Sequence, residues 1–544
     1  MKRHLDYPQL SLYRFLLKTA RQYPDFTALE YYGRKINYRR LIGEISRTAR
    51  ALTAMGVKKG DSISICLPNI PQAVFLFYAV NKVGAVANMI HPLSAENEIV
   101  RYMQLTESRY IFALDSTADK LRKVCMRVSP EKAVAVGADD YMLPHIKAGY
   151  LAKLKGKKPN ITGFDSWSDF IKGAKKVTNN ISITTRPDDT AAILYSGGTT
   201  GVPKGIMLTN LNFNALAMQS IDGCGGLSAG DRMLSVMPVF HGFGLGVCIH
   251  TILVLGGTAV ILPKFSATDF DKLLFKYRPN IIAGVPAIYE ALLTKGSLVH
   301  KDLSFIHTVI SGGDSLSVST KIKLNKLLSG CCSKARVREG YGLTECVTGS
   351  CLSPADAYKP ESVGLPYADT FYKISGTDGR EVPAGETGEI ILRGPSVMKG
   401  YYKAPEETAN ALRPDEDGNI WLHTGDLGYM DEDGYVYFRQ RLKRMIVSGG
   451  YNIYPQNIEE VINSHRDVVM CAAVGVPDKI MGELVRAYVV AKEGVNREVL
   501  RTELMDMLKK DIAVYALPRE IRFRDSLPKT LVGKIDYLAL KAEE

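Results

Sequence analysis

The segment Leu194 to Gly205 reads LYSGGTTGVPKG and follows directly on the apolar AAI. Gly197, Gly198 and Gly201 let successive backbone amides approach an anion. The hydroxyls of Ser196, Thr199 and Thr200 donate to phosphate oxygens, and Lys204 adds a positive charge. Such a composition suits a polyphosphate. It is not the GxxxxGK[ST] nucleotide loop, because Pro203 precedes the lysine, and GFGLG at Gly242 to Gly246 fails the dinucleotide spacing. Local chemistry alone leaves an ordinary Gly-rich loop open.

Further segments carry complementary groups. MPVFHG, Met237 to Gly242, presents an imidazole, His241. EGYGLTE, Glu339 to Glu345, holds an aromatic face that suits a base, Tyr341, and a carboxylate that is a natural hard-metal ligand, Glu345. HTGDLG, His423 to Gly428, contains Asp426, a two-oxygen acceptor that fits a vicinal diol. LPKTLVGKI places Lys534 after Gly533. Singly, each has a plain structural alternative: a satisfied histidine, a capping glutamate, a turn aspartate, a solvated lysine.

Together and in this order they resemble the adenylate-forming enzymes, the superfamily of acyl-CoA synthetases, firefly luciferase and nonribosomal-peptide adenylation domains. The likeness covers nearly the whole chain. The resemblance implies that Ser196, Gly197, Gly198, Thr199, Thr200, Gly201 and Lys204 close over the β and γ phosphates of ATP, although Gly197 stands where the family usually has Ser. It implies an adenosine wall from SGGDSLS, with Gly312, Gly313, Asp314 and Ser315. Tyr341, between Gly340 and Gly342, would stack on adenine. Glu339 replaces the Gln or Asn common in aryl-activating relatives. Thr344 and Glu345 would meet the phosphates, with Thr199 and Glu345 toward Mg²⁺.

His241 matches the residue at the carboxylate entrance, where amino-acid-activating domains usually carry an Asp for the α-ammonium. An imidazole is a poorer partner for that cation, so a non-amino acid is favoured. Asp426 would accept from both ribose hydroxyls, with Arg441 near the ribose and Lys443 at a hinge between domains. Ser448, Gly449 and Gly450 would open the loop that enters for thioester formation. Gln440 and Asn457 depart from the family's usual Gly and Glu. Lys534 would bridge the acyl carboxylate and the α-phosphate, offsetting the repulsion between two anions. The catalytic set implied is therefore Lys534, His241, Thr344 and Glu345.

The implied activity is that of an AMP-forming acid–thiol ligase using ATP, Mg²⁺ and coenzyme A. Its acid is a medium- or long-chain fatty acid. An aryl or other bulky organic acid, and transfer to a carrier-protein thiol, are the alternatives.

The elements that must position these residues alternate in the α/β manner. Strand-like Ser62 to Leu67 precedes helical Pro71 to Val83 and strand-like Ala85 to Ile90. Asn280 to Val285, Pro286 to Leu293 and Phe305 to Ser311 repeat the pattern, so buried parallel strands are expected. From Thr377 to Gly425 short alternating strands read as a small antiparallel part. The expected fold is thus α/β: residues 1–440 form a multi-layer amino-terminal domain, β-rich from about 371, and 441–544 form a small mobile α+β domain.

A length of 544 residues excludes a small binding module, and 46% hydrophobic residues exclude global disorder. The net charge of +12 comes without a basic stripe interleaved with aromatics, so nucleic acid is not the expected partner. Lys153 to Lys158 reads as a solvated end. Nine cysteines without a CxxC read as buried thiols in a reducing compartment, here the cytoplasm. The beginning, MKRHLDYPQLSLYRFLLKTA, reads as an amphipathic surface helix rather than a signal peptide. Gly242 to Leu262 reads as buried core broken into helix and strand by its Gly-Gly pair, not as a membrane span. Peripheral membrane contact and a monomer or homodimer state stay open.

Overall fold

The computed structural model describes residues 4–153, 159–179, 181, 183–196, 204–263, 269–294, 298, 301–448, 451–453, 455–478, 481–512, 516–530 and 534–543. Most of the Lys153 to Lys158 run lies outside them; Lys153 itself ends helix Pro144–Lys153.

Two compact units are present. The first comprises Met1–Leu316, Thr320–Phe371 and Arg393–Leu422; the second comprises Ser317–Ser319, Tyr372–Leu392 and His423–Glu544. A boundary at 440/441 falls inside the second unit, which takes in the strand-rich segments before it as well as the carboxyl-terminal residues.

Two sheets organise the first unit. In the nine-stranded sheet, Thr27–Tyr31, Thr258–Ile261, Arg232–Ser235, Ile281–Gly284, Thr308–Gly312 and Val337–Tyr341 lie side by side in that order, all parallel. In the eight-stranded sheet, Ser62–Cys66, Val86–Met89 and Thr190–Ser196 are parallel neighbours of the same kind. Strands covered on both faces read as continuous apolar runs, which is why SISIC and IIAG are buried at every position. Helix Pro71–Lys82, with Pro at its first turn, makes the crossover between Ser62–Cys66 and Val86–Met89. The expected α/β pattern is thus present.

The opening segment is helical only from Leu12 to Gln22. Ser11 caps it by accepting from the Arg14 amide, and Leu12, Phe15, Leu16, Thr19 and Ala20 are buried. Residues 4–11 are not helical. An accepting Ser side chain at the cap fixes the first turn, and Pro8 disfavours helix just before it.

Gly242 to Leu262 breaks as expected, into a fully buried π-helix Phe243–Thr251, a short helix Ile252–Leu255 and strand Thr258–Ile261. Thr251 Oγ1 donates to the Gly246 carbonyl at 2.9 Å, and a Cβ on Gly244 would stand 2.0 Å from the Pro238 carbonyl oxygen. Among the described residues no helix is long and apolar enough to cross a membrane. No disulfide joins the cysteines, and burial pushes the Cys66 thiol up to about 12.

In the second unit, strand Val436–Arg441 pairs antiparallel with the Asp426 to Met430 part of strand Ile420–Met430. Strand Val468–Asp478 pairs antiparallel with Gly482–Ala491, and helices Pro455–Asn463 and Arg497–Asp511 pack with them around Ile458, Ile462, Leu500, Leu504 and Leu508.

Candidate active site

Gly312 ends its strand beside Gly340 on the neighbouring parallel strand. The segments SGGDSLS and EGYGLTE therefore leave the sheet together at its carboxyl edge, where ligands of open α/β sheets bind. Gly313, Asp314 and Ser315 are exposed there, and Asp314 Oδ1 accepts from the Ser315 amide at 2.9 Å. Tyr341 closes its strand and is buried, as is Thr344 in the single turn Thr344–Cys346.

His241 is drawn to the same edge by its neighbour. A Cβ on Gly242 would stand 1.6 Å from the Val347 carbonyl oxygen, so only a glycine lets MPVFHG touch the loop that follows EGYGLTE. His241 Nδ1 accepts from the Phe243 amide at 3.3 Å, which leaves the proton of the neutral ring on Nε2. Behind the edge lies a cavity. Gly312, Gly313, Gly340 and Tyr341 line it at the edge, and its deeper wall is largely aliphatic and aromatic.

Glu339 is placed differently from its neighbours. Side chains alternate along a strand, so Glu339 faces away from the side that Gly340 presents. There its carboxylate meets the ammonium of Lys321, which is 1% exposed, on helix Val318–Gly330. Burial pushes the Glu339 carboxyl up, against the pull of Lys321.

Ser196 stands opposite Lys204 on the antiparallel strands Thr190–Ser196 and Lys204–Thr209. Gly197, Gly198, Thr199, Thr200, Gly201 and Pro203 lie outside the described residues. Lys204 Nζ is 5.0 Å from the centre of the Tyr401 ring, and the Tyr401 hydroxyl donates to Glu345 Oε1 at 2.9 Å. Strand Gly400–Tyr401 pairs with Lys204–Thr209, and the Met398 amide donates to the Glu345 carbonyl at 2.7 Å. Tyr401 thus joins Lys204 to Glu345. Burial and the adjoining carboxylate push its phenol up, so it remains a donor across the physiological range.

The second unit holds the remaining groups. Asp426 is 3% exposed and lies opposite Arg441, whose Nε is 3.4 Å from Asp426 Oδ1. Glu389 braces the turn before it: one oxygen accepts from the Gly425 amide at 2.9 Å and the other meets His423 Nδ1 at 2.8 Å. Lys443 lies in the single turn Leu442–Arg444 between strands Val436–Arg441 and Ile446–Ser448. Ser448 is buried and stands opposite Tyr451, while Gly449 and Gly450 lie outside the described residues. The Lys534 amide donates to Thr530 Oγ1 at 3.2 Å, and the Lys534 carbonyl accepts from the Thr530 amide at 2.7 Å.

The family model for AMP-binding enzymes matches residues 16–402, and the model for the AMP-binding enzyme C-terminal domain matches 457–534. The chain belongs to the AMP-binding enzymes. It is 35% identical over 553 aligned positions to a long-chain-fatty-acid–CoA ligase of Bacillus subtilis, covering 99% of this chain and 96% of that protein. It is 32% identical to 4-coumarate–CoA ligase-like 2 of Arabidopsis thaliana, covering 92% and 85%. Among solved structures, ATP-bound MatB from Rhodopseudomonas palustris is similar with a TM-score of 0.85 and 27% identity, covering 98% of this chain and 99% of that one.

Within this AMP-binding enzyme, the residues singled out in MPVFHG, SGGDSLS and EGYGLTE, Glu339 excepted, meet at one sheet edge of the first unit. Tyr401 and Glu389 were not singled out. GYYKAPEE and GEIILR carry no composition that marks either residue, because each acts by orienting another side chain or turn.

Proposed function

We propose that this AMP-binding enzyme is an AMP-forming fatty-acid–CoA ligase. The observation that carries the reading is the apolar cavity opening between Gly312 and Gly340 beside Tyr341: an uncharged acyl pocket adjoining the wall to which the family resemblance assigns adenosine. The fatty-acid ligase from Bacillus subtilis, similar over nearly its full length, supports the same acid class.

The acid's carboxylate oxygen attacks the α-phosphorus of ATP, the bond to the β-phosphate oxygen breaks, and pyrophosphate leaves. The sulfur of coenzyme A then attacks the adenylate's carbonyl carbon, AMP leaves, and the thiol proton passes to solvent. Lys204, Thr199 and Thr200 hold the leaving pyrophosphate. Asp426 holds the ribose diol, and His241 orients the carboxylate through its Nε2 proton. Lys534 offsets the repulsion of the first step. A rotation at Lys443 then exchanges it for the segment beginning at Ser448.

Mg²⁺ fits the donors present. Among the described residues no cluster of three or more His, Cys, Asp or Glu occurs. Mg²⁺ needs none, being held by one or two carboxylates and the substrate's phosphates. Glu345 supplies such a carboxylate, with one oxygen oriented by Tyr401. When bound, the ion neutralises charge on the departing pyrophosphate. Tyr401→Phe keeps the ring under Lys204 and removes only the hydroxyl. It is expected to raise the Mg²⁺ concentration for half-maximal pyrophosphate release about five- to tenfold, the effect of roughly one hydrogen bond to a charged group with partial solvent replacement. An unchanged Mg²⁺ dependence would remove Tyr401 from the site.

The function is tested by pyrophosphate release over a panel of aliphatic and aryl acids, with and without coenzyme A. Release with aliphatic acids, and thioester only with coenzyme A, is expected. No acid-dependent release overturns the ligase, release with aryl acids alone moves the acyl group to that class, and adenylate without thioester moves the acceptor to another thiol.

A further inference from the structure

We infer that the cavity behind the sheet edge is a ruler for acyl length, with Met233 and Ile281 as its floor and Ile310 as its middle step; this rests on the fatty-acid reading above. The register fixes the levels. Met233 lies beside Ile281, and Ile281 beside Thr308. Ile310 is two residues further along and beside Arg338, and Gly312 is two further again and beside Gly340. Residues two apart on a strand share a face, so Met233, Ile281, Ile310, Gly312 and Gly340 form one wall in three levels, and all five line the cavity.

The levels also grade in size. Glycines stand at the carboxyl edge where the carboxylate must react, and Ile310 in the middle is partly exposed. Ile281 and Met233 at the bottom are 0% and 2% exposed. From the level of Ile281 to that of Gly312 is four strand residues, or about 13 Å. A zigzag carbon chain with bonds near 1.5 Å advances about 1.3 Å per carbon, so about ten carbons fill this depth. With the carboxyl end above the glycines, the acid that fits is a straight, saturated one of about ten to twelve carbons.

The opposite wall is held in place, which a ruler requires. Phe243, Val247 and Thr251 face the cavity from the π-helix, and Cys224 from the end of helix Asn210–Cys224. That helix end is fastened by Arg338, which is buried and donates to the carbonyls of Gly223, Cys224 and Ser353, each at 2.6 Å. The Tyr367 ring packs so closely on Gly223 that a Cβ there would stand 2.7 Å from it. Met233 is the floor residue most able to yield, since its unbranched side chain repacks easily.

The test is the chain-length profile of thioester formation for straight acids from four to eighteen carbons. In the natural protein, kcat/KM should rise about three- to fourfold per carbon, the worth of one buried methylene, up to about ten to twelve carbons and fall beyond. Met233→Ala should move the optimum about two to four carbons longer, and Ile310→Phe should move it about four carbons shorter, by the depths each change adds or removes. Thermal unfolding reports which variants are folded, and either one alone decides the matter. A natural profile without a maximum in this range, or a maximum that neither folded variant moves, overturns the ruler. Absence of acid-dependent pyrophosphate release in the natural protein would instead overturn the ligase reading itself.

Discussion

Replacing Lys534 by alanine is expected to slow acyl-adenylate formation by about 10² to 10³-fold, the usual loss when one group aimed at developing charge is removed. Thioester formation from supplied acyl adenylate and coenzyme A should be nearly unchanged. The asymmetry follows from the charges. Adenylation brings a carboxylate against a polyphosphate, two anions that approach only if a cation stands between them. In the second step a thiol meets a carbonyl whose leaving group already carries its charge. The Lys534 backbone suits this role, because its amide and carbonyl are both paired with Thr530, and Lys529 bridges Ile535. The side chain therefore springs from a fixed base. Lys534→Arg should recover part of the rate, since charge is kept but the compact ammonium is replaced by a broad fork. The measurement is rapid-quench pyrophosphate release for the first step and direct thioester assay for the second. Equal losses in both would refute this division of labour.

How far the sequence carried depends on what kind of signal each residue leaves. Parallel strands such as Ile281–Gly284 announce themselves as apolar runs because they are buried on both faces. Segments whose glycines, hydroxyls and charges act directly were legible through composition and order, and the structure of the first unit gathers His241, Gly312 and Tyr341 at one edge. Residues that act at one remove were not legible. Tyr401 matters because strand Gly400–Tyr401 pairs with Ile206 and Met207 of strand Lys204–Thr209, which brings its ring to Lys204, a contact set by a long-range register that no local pattern encodes. Glu339 is the converse. Its place in EGYGLTE groups it with the nucleotide residues, yet strand alternation turns it to the opposite face, onto Lys321. The helix at the amino terminus begins later than its pattern suggests for a similar reason. Amphipathic spacing fixes that a helix exists, while the Ser11 cap fixes where it begins.

Gly242→Ala is the steric counterpart of the Lys534 prediction, and it should reduce kcat/KM for adenylation by about 10²-fold through displacement of groups it never touches, the loss that a shift of about 1 Å can cause. The obstacle is backbone, not a flexible side chain: the new Cβ would stand 1.6 Å from the Val347 carbonyl oxygen. Val347 has little freedom to retreat. Its φ of 65° and ψ of −56° place a β-branched residue at the centre of a left-handed γ-turn, with the Thr348 amide donating to the Cys346 carbonyl at 2.8 Å. Such a turn is strained and persists only where its surroundings dictate it. Gly242 is one of those surroundings. Pushing the turn outward moves the whole connection from Tyr341 to Val347, which carries Thr344 and Glu345, away from His241 on the other side of the contact. Stability should fall by about 1 to 3 kcal/mol, as for other overpacked sites. Gly43→Ala is the contrast, an exposed position within helix Tyr38–Ala54 where a Cβ meets nothing within 4 Å. It should gain about 0.5 to 1 kcal/mol from helix propensity and leave activity untouched. Urea unfolding and pyrophosphate release measured on both variants separate the two cases. Full activity in Gly242→Ala would show that the strained turn does not position the groups it carries.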